Sequence, residues 1–356
     1  MIHVESLTLA WIEKTAKTNR NADKILVEKV IRALYLLELL QLSGLRFLFK
    51  GGTSLMLLTQ QTKRLSIDVD IIVPEKPDDL SSHLTYVIEQ SDFIRLEKNV
   101  RGDKNDIQKA HYKFYYQPVT SSRASEEYIL LDILFEASPY ATFTALYPIR
   151  SDFIQTDAEG IFTEVTIPTP EAILGDKLTA YAPNTTSVPY GKNKEIEIIK
   201  QLYDIGNLFD QIKDLKPVAD VFQTIAGLEL KYRKLAANPQ IVLEDIWETS
   251  LHIATRGKEG NGNLAELQRG IKNIRTFIFS EPFHIEAVML PAAKAAYLSA
   301  LLQKSITAFK RFTNPKEIAT WQVEQPFSTR LNKLKKSNPE AFFYWYHATK
   351  LLKDNE

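Results

Sequence analysis

Residues 50–70 read K-G-G-T-S-L-M-L-L-T-Q-Q-T-K-R-L-S-I-D-V-D, and the end of that stretch decides the fold. Asp68 and Asp70 stand two apart in Ser66–Val73 (SIDVDIIV), a run that predicts a strand ended by Pro74. Alternation along a strand aims both carboxylates at the same face. Val69, Ile71, Ile72 and Val73 predict that the strand is largely buried. Neighbouring carboxylates repel and lose hydration, so they need a compensating cation. Mg²⁺ suits the pair, because hard cations take carboxylate oxygens and keep positions open for phosphates. Two solvated aspartates at a strand end would give the same D-x-D.

Upstream, Arg46–Lys50 predicts a short strand, Gly51-Gly52 a sharp turn and Thr53–Gln60 the start of a helix. A glycine pair lets the backbone pass close to a ligand. A helix opened by Thr53 and Ser54 would offer free N–H groups to an anion such as a phosphate. Neither G-x-x-x-x-G-K-[ST] nor G-x-G-x-x-G is present. Taken alone, the glycines could be no more than a connection. Together with D-x-D they put a phosphate cradle beside a metal pair, the arrangement needed to hold an NTP with its cation. Asp132, the only charge inside Tyr128–Phe135, completes the set as a third ligand or, alternatively, sits in a structural salt bridge.

The chain has 356 residues, 44% hydrophobic and 25% charged, with 44 basic and 44 acidic side chains. Length allows about two domains of roughly 150 residues. The absence of cysteine excludes disulfides, thiolate metal sites and cysteine nucleophiles. Residues 1–214 carry 24 basic and 30 acidic side chains, net −6, and residues 215–356 carry 20 and 14, net +6. This is either ordinary scatter or a basic module that faces a polyanion. The opening MIHVESLTLAWIEKTAK lacks a signal-peptide pattern, and Ile31–Leu42 and Tyr297–Leu302 are too short or interrupted to span a bilayer, so a cytoplasmic protein without membrane contact is expected.

Ala22–Gln41 has the apolar spacing of an amphipathic helix, and Asp79–Gln90 predicts another with Asp78 or Asp79 near its N-cap. Phe93–Val100, Lys109–Gln117, Tyr128–Phe135 and Phe162–Ile167 read as strands. From Pro170 the pattern is helical: Glu171–Tyr181, Lys194–Gln211, Val218–Leu235, Leu243–Arg256, Leu264–Phe279, Ile285–Gln303 and Pro339–Leu352. The expected organisation is a mixed α/β domain over 1–210 and a helical domain over 211–356 that binds an acceptor, with the join between about 165 and 215.

The motifs F-K-G-G-T-S-L (49–55), R-L-S-I-D-V-D (64–70), L-L-D-I-L (130–134), G-D-K-L-T-A (175–180) and K-Q-L-Y-D-I-G-N-L (200–208) occur in that order. Over about Phe47–Leu208 the chain resembles the nucleotidyltransferase-fold toxins of the AbiEii/AbiGii type, from type IV toxin–antitoxin and abortive-infection systems. The resemblance implies an α/β (α+β) core like that of DNA polymerase β, a mixed sheet with an N-terminal helix, followed by the helical domain. It implies that Gly51, Gly52, Thr53 and Ser54 hold the triphosphate, that Asp68 and Asp70 coordinate Mg²⁺, and that Asp132 is a third ligand or base. Lys177 would contact nucleotide phosphates, Asp204 would organise the site, and Arg64 would contact phosphate or form a structural pair. Without the resemblance, Lys177 reads as a lysine at the edge of an apolar helix face and Asp204 as a surface carboxylate.

The implied reaction is Mg²⁺-dependent transfer of a nucleoside monophosphate from an NTP, with the tRNA 3′ end as acceptor and bacterial growth inhibition as the outcome. A cognate antitoxin encoded nearby is the implied partner. Transfer to a protein or small molecule, or nucleotide binding with little turnover, are the alternatives. His111 is expected to be structural or, alternatively, to lie near the nucleotide on its strand. Arg101, Lys104, Lys109, Lys113, Lys231, Arg233, Lys234, Lys304, Lys310, Arg311, Lys333, Lys335 and Lys336 are candidates for RNA contact, or simply solvated faces.

Overall fold

A computed structural model describes residues 1–58, 63–99, 108–121, 126–140, 142–156 and 162–353. Arg101 and Lys104 lie outside the described residues. Helices α1 (Leu9–Thr18) and α2 (Lys24–Leu42) precede strand β1 (Leu48–Lys50) and helix α3 (Gly51–Leu58). Strand β2 (Val69–Ile72), helix α4 (Leu80–Glu89) and strands β3 (Arg95–Lys98), β4 (Lys109–Tyr116), β5 (Glu127–Leu134), β6 (Thr144–Pro148) and β7 (Glu164–Pro168) follow. The helices after them are α5 (Pro170–Thr179), α6 (Glu195–Phe209), α7 (Lys216–Tyr232), α8 (Gln240–Ala254), α9 (Leu264–Asn273), α10 (Ile285–Gln303), α11 (Ser328–Ser337) and α12 (Pro339–Lys353). Two units result: residues 1–169 with 276–281, and residues 170–275 with 282–356. The sequence border at 210 follows the motifs, whereas packing groups α5 and α6 with the later helices.

In the first unit five strands form a mixed sheet in the order β1-β2-β5-β4-β3. Only β2 and β5 pair in parallel; the other neighbours are antiparallel. Strands β6 and β7 form a separate antiparallel pair, and β6 was not anticipated from the sequence. One face of the main sheet is the core: Phe49, Val69, Ile71, Ala110, Phe114, Tyr116, Ile129, Leu131 and Ile133 are all buried. Helix α2 starts at Asp23, whose carboxylate accepts from the Ile25 and Leu26 amides, a standard N-cap. Its buried Arg32 lies 4.7 Å over the Tyr116 ring and pairs with Asp92. Buried Glu28 accepts from the amides of Val119 and Thr120, and buried Glu38 from the amide of Ile2.

Among its described residues the second unit holds helices joined by loops and no strand. Helix α10 packs against α6, α8 and α12. It is long and apolar enough to cross a membrane, and 72% of its most apolar window is buried inside the protein, as in a core helix. Buried Lys294 of α10 donates to both oxygens of Asp210 at 2.7 and 2.9 Å. On α12, His347 sits among Phe343, Tyr346 and Trp321 with ring centroids 4.6, 5.6 and 5.3 Å away. Its Nε2 is buried with no hydrogen-bond partner.

Burial first, then Lys310 and Lys350, push the His347 imidazole down from 6.5 to about 4. Between those values the unfolded chain binds a proton that the folded unit refuses. The resulting stability is complete above about pH 6.5 and declines as pH falls toward 4. Replacing His347 with Phe should therefore raise the melting temperature relative to wild type progressively as pH falls through this window. A difference that stays constant from neutral to acid pH would show that this imidazole carries no such proton.

Candidate active site

The site in the first unit begins where β1 meets α3. Gly51 has φ +82°, a left-handed conformation that costs other residues about 1–2 kcal/mol. A Cβ there would stand 2.1 Å from Asp70 Oδ2, so the backbone passes directly against that carboxylate. A Cβ on Gly52 would stand 2.7 Å from both Arg64 Nη2 and Ser66 Oγ. The glycine pair is thus the first turn of α3 rather than a connection before it. Thr53 Oγ1 donates to the Asp68 carbonyl at 2.5 Å and Ser54 Oγ to the Gly51 carbonyl at 2.8 Å. Both residues are fully buried; the Thr53 bond ties the start of α3 to the aspartate segment, and the Ser54 bond closes the first turn of α3 on itself.

Strand β2 begins at Val69, so Asp68 precedes it while Asp70 lies within it. Asp70 pairs in register with Lys50 on one side and with Asp132 on the other. Asp132 in turn faces His111, whose Nδ1 lies 2.5 Å from its Oδ1. One row across β1, β2, β5 and β4 therefore reads Lys50–Asp70–Asp132–His111. Arg64 is nearly buried, donates to the Leu65 carbonyl at 3.2 Å and bridges to Ile278.

His111 is the residue that the sequence reading left out of the site. The alternation of A-H-Y-K-F-Y-Y put it on one face of a strand, but its partner lies 21 positions away in sequence, and only the register reveals it. Among the described residues, no three His, Asp or Glu side chains form a ready metal cage. Mg²⁺ is ordinarily held by one or two carboxylates together with substrate phosphates, so a half-buried aspartate pair beside a glycine-lined backbone fits it.

Lys177 and Asp204 belong to the second unit, where they pair with each other at 3.1 Å. Both are nearly buried, and Lys177 also donates to Gln201 Oε1 at 2.8 Å. The glycine of G-D-K-L-T-A has a packing role: a Cβ on Gly175 would stand 2.7 Å from the Val218 carbonyl, so α5 crosses α7 closely.

A family model for the nucleotidyltransferase AbiEii toxin of type IV toxin–antitoxin systems matches residues 32–273. The chain belongs to this family. It is a nucleotidyltransferase toxin, with an NTP as substrate and a cognate antitoxin as the partner that the family implies. Among solved structures it is similar to MenT4, a nucleotidyltransferase toxin from Mycobacterium tuberculosis H37Rv, at 16% identity and a TM-score of 0.52, over 94% of this chain and 98% of that one. It is also similar to JHP933 from Helicobacter pylori, at 15% identity and a TM-score of 0.44, over 78% of this chain and 92% of that one. The likeness to MenT4 supports the α/β nucleotidyltransferase fold with its helical C-terminal part. No curated protein matches the chain.

Two left-handed glycines of this AbiEii-family toxin provide a comparison within one molecule. Gly44 has φ +82° and open space around its Cβ position, whereas Gly51 has the same φ and Asp70 in the way. Gly44→Ala should cost about 1–2 kcal/mol from the backbone alone and leave nucleotide transfer intact. Gly51→Ala should lower the melting point further and cut transfer at least tenfold, because Asp70 must move. Equal melting points and equal activities would remove the close approach from the site.

Proposed function

We propose that this toxin transfers a nucleoside monophosphate from an NTP to the 3′ acceptor end of tRNA in a Mg²⁺-dependent reaction, and that growth stops because translation does. The observation that supports this reading best is the register of Asp70 with Asp132, directly beside the close backbone approach at Gly51. Asp68 and Asp70 would hold Mg²⁺, with Asp132 as a third carboxylate. Mg²⁺ bound there would neutralise the triphosphate and the leaving pyrophosphate.

The residues divide the remaining work. Gly51 and Gly52 carry no side chain of their own, which lets Asp70 stand against the backbone at Gly51 and Arg64 and Ser66 at Gly52, and Arg64 adds positive charge there for the triphosphate. Thr53 and Ser54 hold that backbone through their two hydrogen bonds. Asp132 takes the proton of the attacking hydroxyl, and His111 keeps its carboxylate oriented. The acceptor oxygen bonds to the α-phosphorus as the bond to pyrophosphate breaks. Lys177 is assigned to the nucleotide phosphates, and Asp204 to holding its ammonium in place.

Purified protein incubated with Mg²⁺, each α-labelled NTP and either total tRNA or total protein should label RNA. Chelation of the metal, or Asp70→Asn, should reduce labelling at least a hundredfold while the melting point of Asp70→Asn stays at or above that of wild type, since one of two repelling charges is gone. Expression of wild type should slow bacterial growth, and Asp70→Asn at matched protein level should not. Label in protein instead of RNA would refute the tRNA acceptor. Full transfer by folded Asp70→Asn would refute the metal assignment.

A further inference from the structure

The face of the sheet that carries the carboxylate row does not end at that row. Alternation places His111, Lys113 and Tyr115 of β4 on it, together with Tyr128, Leu130 and Asp132 of β5 and Arg95 and Glu97 of β3. The opposite face is buried, yet these residues are exposed or half-buried, and Tyr128 is 39% exposed. An aromatic ring left accessible in the middle of a unit's main sheet is costly for a core and useful for a ligand.

The rings are not isolated. Tyr115 and Tyr128 are direct cross-strand partners with centroids 5.6 Å apart and planes inclined at 54°. Lys113 Nζ lies 4.6 Å and Lys29 Nζ 5.8 Å from the Tyr128 centroid. The Arg95 guanidinium lies 3.4 Å from the Tyr115 centroid. The guanidinium covers one face of Tyr115, and its plane, the exposed Tyr128 ring and the two ammonium groups together have the composition of a stacking platform for single-stranded nucleic acid: bases stack on Tyr128 and on the guanidinium plane while phosphates meet the lysines. Arg95 pairs with Glu126 at 2.7 Å and Glu97 at 3.1 Å, and Lys29 pairs with Glu127 at 2.8 Å. The Arg95 pairs, a third to a half exposed, are worth about 0–1 kcal/mol each, so phosphates can compete for that cation.

The spacing also fits. Tyr128 precedes Asp132 by four residues on one strand, about 13 Å at roughly 3.3 Å per residue. That is the length of about four stacked nucleotides at 3.4 Å each. We infer that the Tyr115–Tyr128 platform with Lys113, Arg95 and Lys29 holds the unpaired 3′ end of an RNA acceptor and leads its terminal hydroxyl toward Asp132. The inference rests on the reading of the acceptor as RNA and adds the surface that binds it. It also moves acceptor binding from the basic helical half to the sheet. Arg233, Arg311 and Lys335 of that half donate to the carbonyls of Thr186, Ile212 and Ala319, so part of its charge surplus serves the fold.

The test measures fluorescence anisotropy of a short single-stranded RNA with a free 3′ end on the full chain, alongside KM for the same RNA and for NTP. Tyr128→Ala should weaken RNA binding roughly tenfold and raise its KM equally, with KM for NTP unchanged. Tyr128→Phe should stay within twofold of wild type, since stacking uses the ring and not the hydroxyl. Lys113→Ala should reduce the slope of log affinity against log salt by about 0.7. Melting points of all variants should match wild type, because neither side chain is part of the core. RNA labelled normally by Tyr128→Ala and Lys113→Ala, with wild-type affinity and slope, would overturn the platform alone. A blunt RNA duplex bound as tightly as the single strand would overturn it as well. A wild type that neither binds nor labels any RNA would overturn the RNA-acceptor reading and the platform with it.

Discussion

Two carboxylates held opposite each other on parallel strands are the constraint from which the first unit is built. Asp70 and Asp132 share one register position, with backbones about 4.8 Å apart. Like charges that close repel unless positive charge or hydrogen bonds intervene. Lys50 occupies the same row on the outer side of Asp70, and His111 holds Asp132 on the other. The row thus has a nitrogen-bearing side chain at either end and its two carboxylates side by side in the middle. The left-handed turn at Gly51 removes the one side chain that would have filled the space beside Asp70.

Much of this was legible in the sequence because it depends on neighbours in the chain. The D-x-D spacing of Asp68 and Asp70, the lone charge of Asp132 in an apolar run and the glycine pair are all local signals. Helix Ile285–Gln303 was read with both ends correct, since its apolar run is long and its flanks are polar. Strand β6 escaped notice because five residues ending in proline give too short a pattern. Helix α11 escaped because every residue of STRLNKLKKS except Leu331 and Leu334 is polar, and only those two are buried. His111 could not be placed, because pairing between strands is decided by the whole core and not by either strand alone.

The basic surplus of the helical half shows the same limit from another direction. Counting charges suggested a polyanion surface, but a count does not say what each side chain reaches. Arg311 spans from its loop to the Ile212 carbonyl at 2.6 Å, and Arg233 from the end of α7 to that of Thr186 at 2.6 Å. In these positions a cation closes off carbonyls that would otherwise lack donors. Asp210, with Lys294 at 2.7 Å and Arg311 at 3.9 Å, makes the same half depend on its own anions. Net charge is therefore a poor guide to where a nucleic acid would lie on this protein, and geometry on a single sheet face is a better one.

The buried face of the sheet gives the open face its chemistry. Ile129, Leu131 and Ile133 point into the core with Phe114 and Ala110, while Tyr128, Leu130 and Asp132 point outward between them. Because side chains alternate with a period of two, a slip of one residue would exchange these sets, burying Asp132 and exposing an isoleucine. The cost of that exchange, several apolar side chains in water and one carboxylate in the core, far exceeds any gain from an alternative pairing. Asp132 consequently meets Asp70 and His111 for reasons that lie entirely on the other side of the sheet. The core residues lie on the opposite face, yet they decide which carboxylate stands beside which, and in that sense the hydrophobic pattern of β4 and β5 specifies the row Asp70–Asp132–His111.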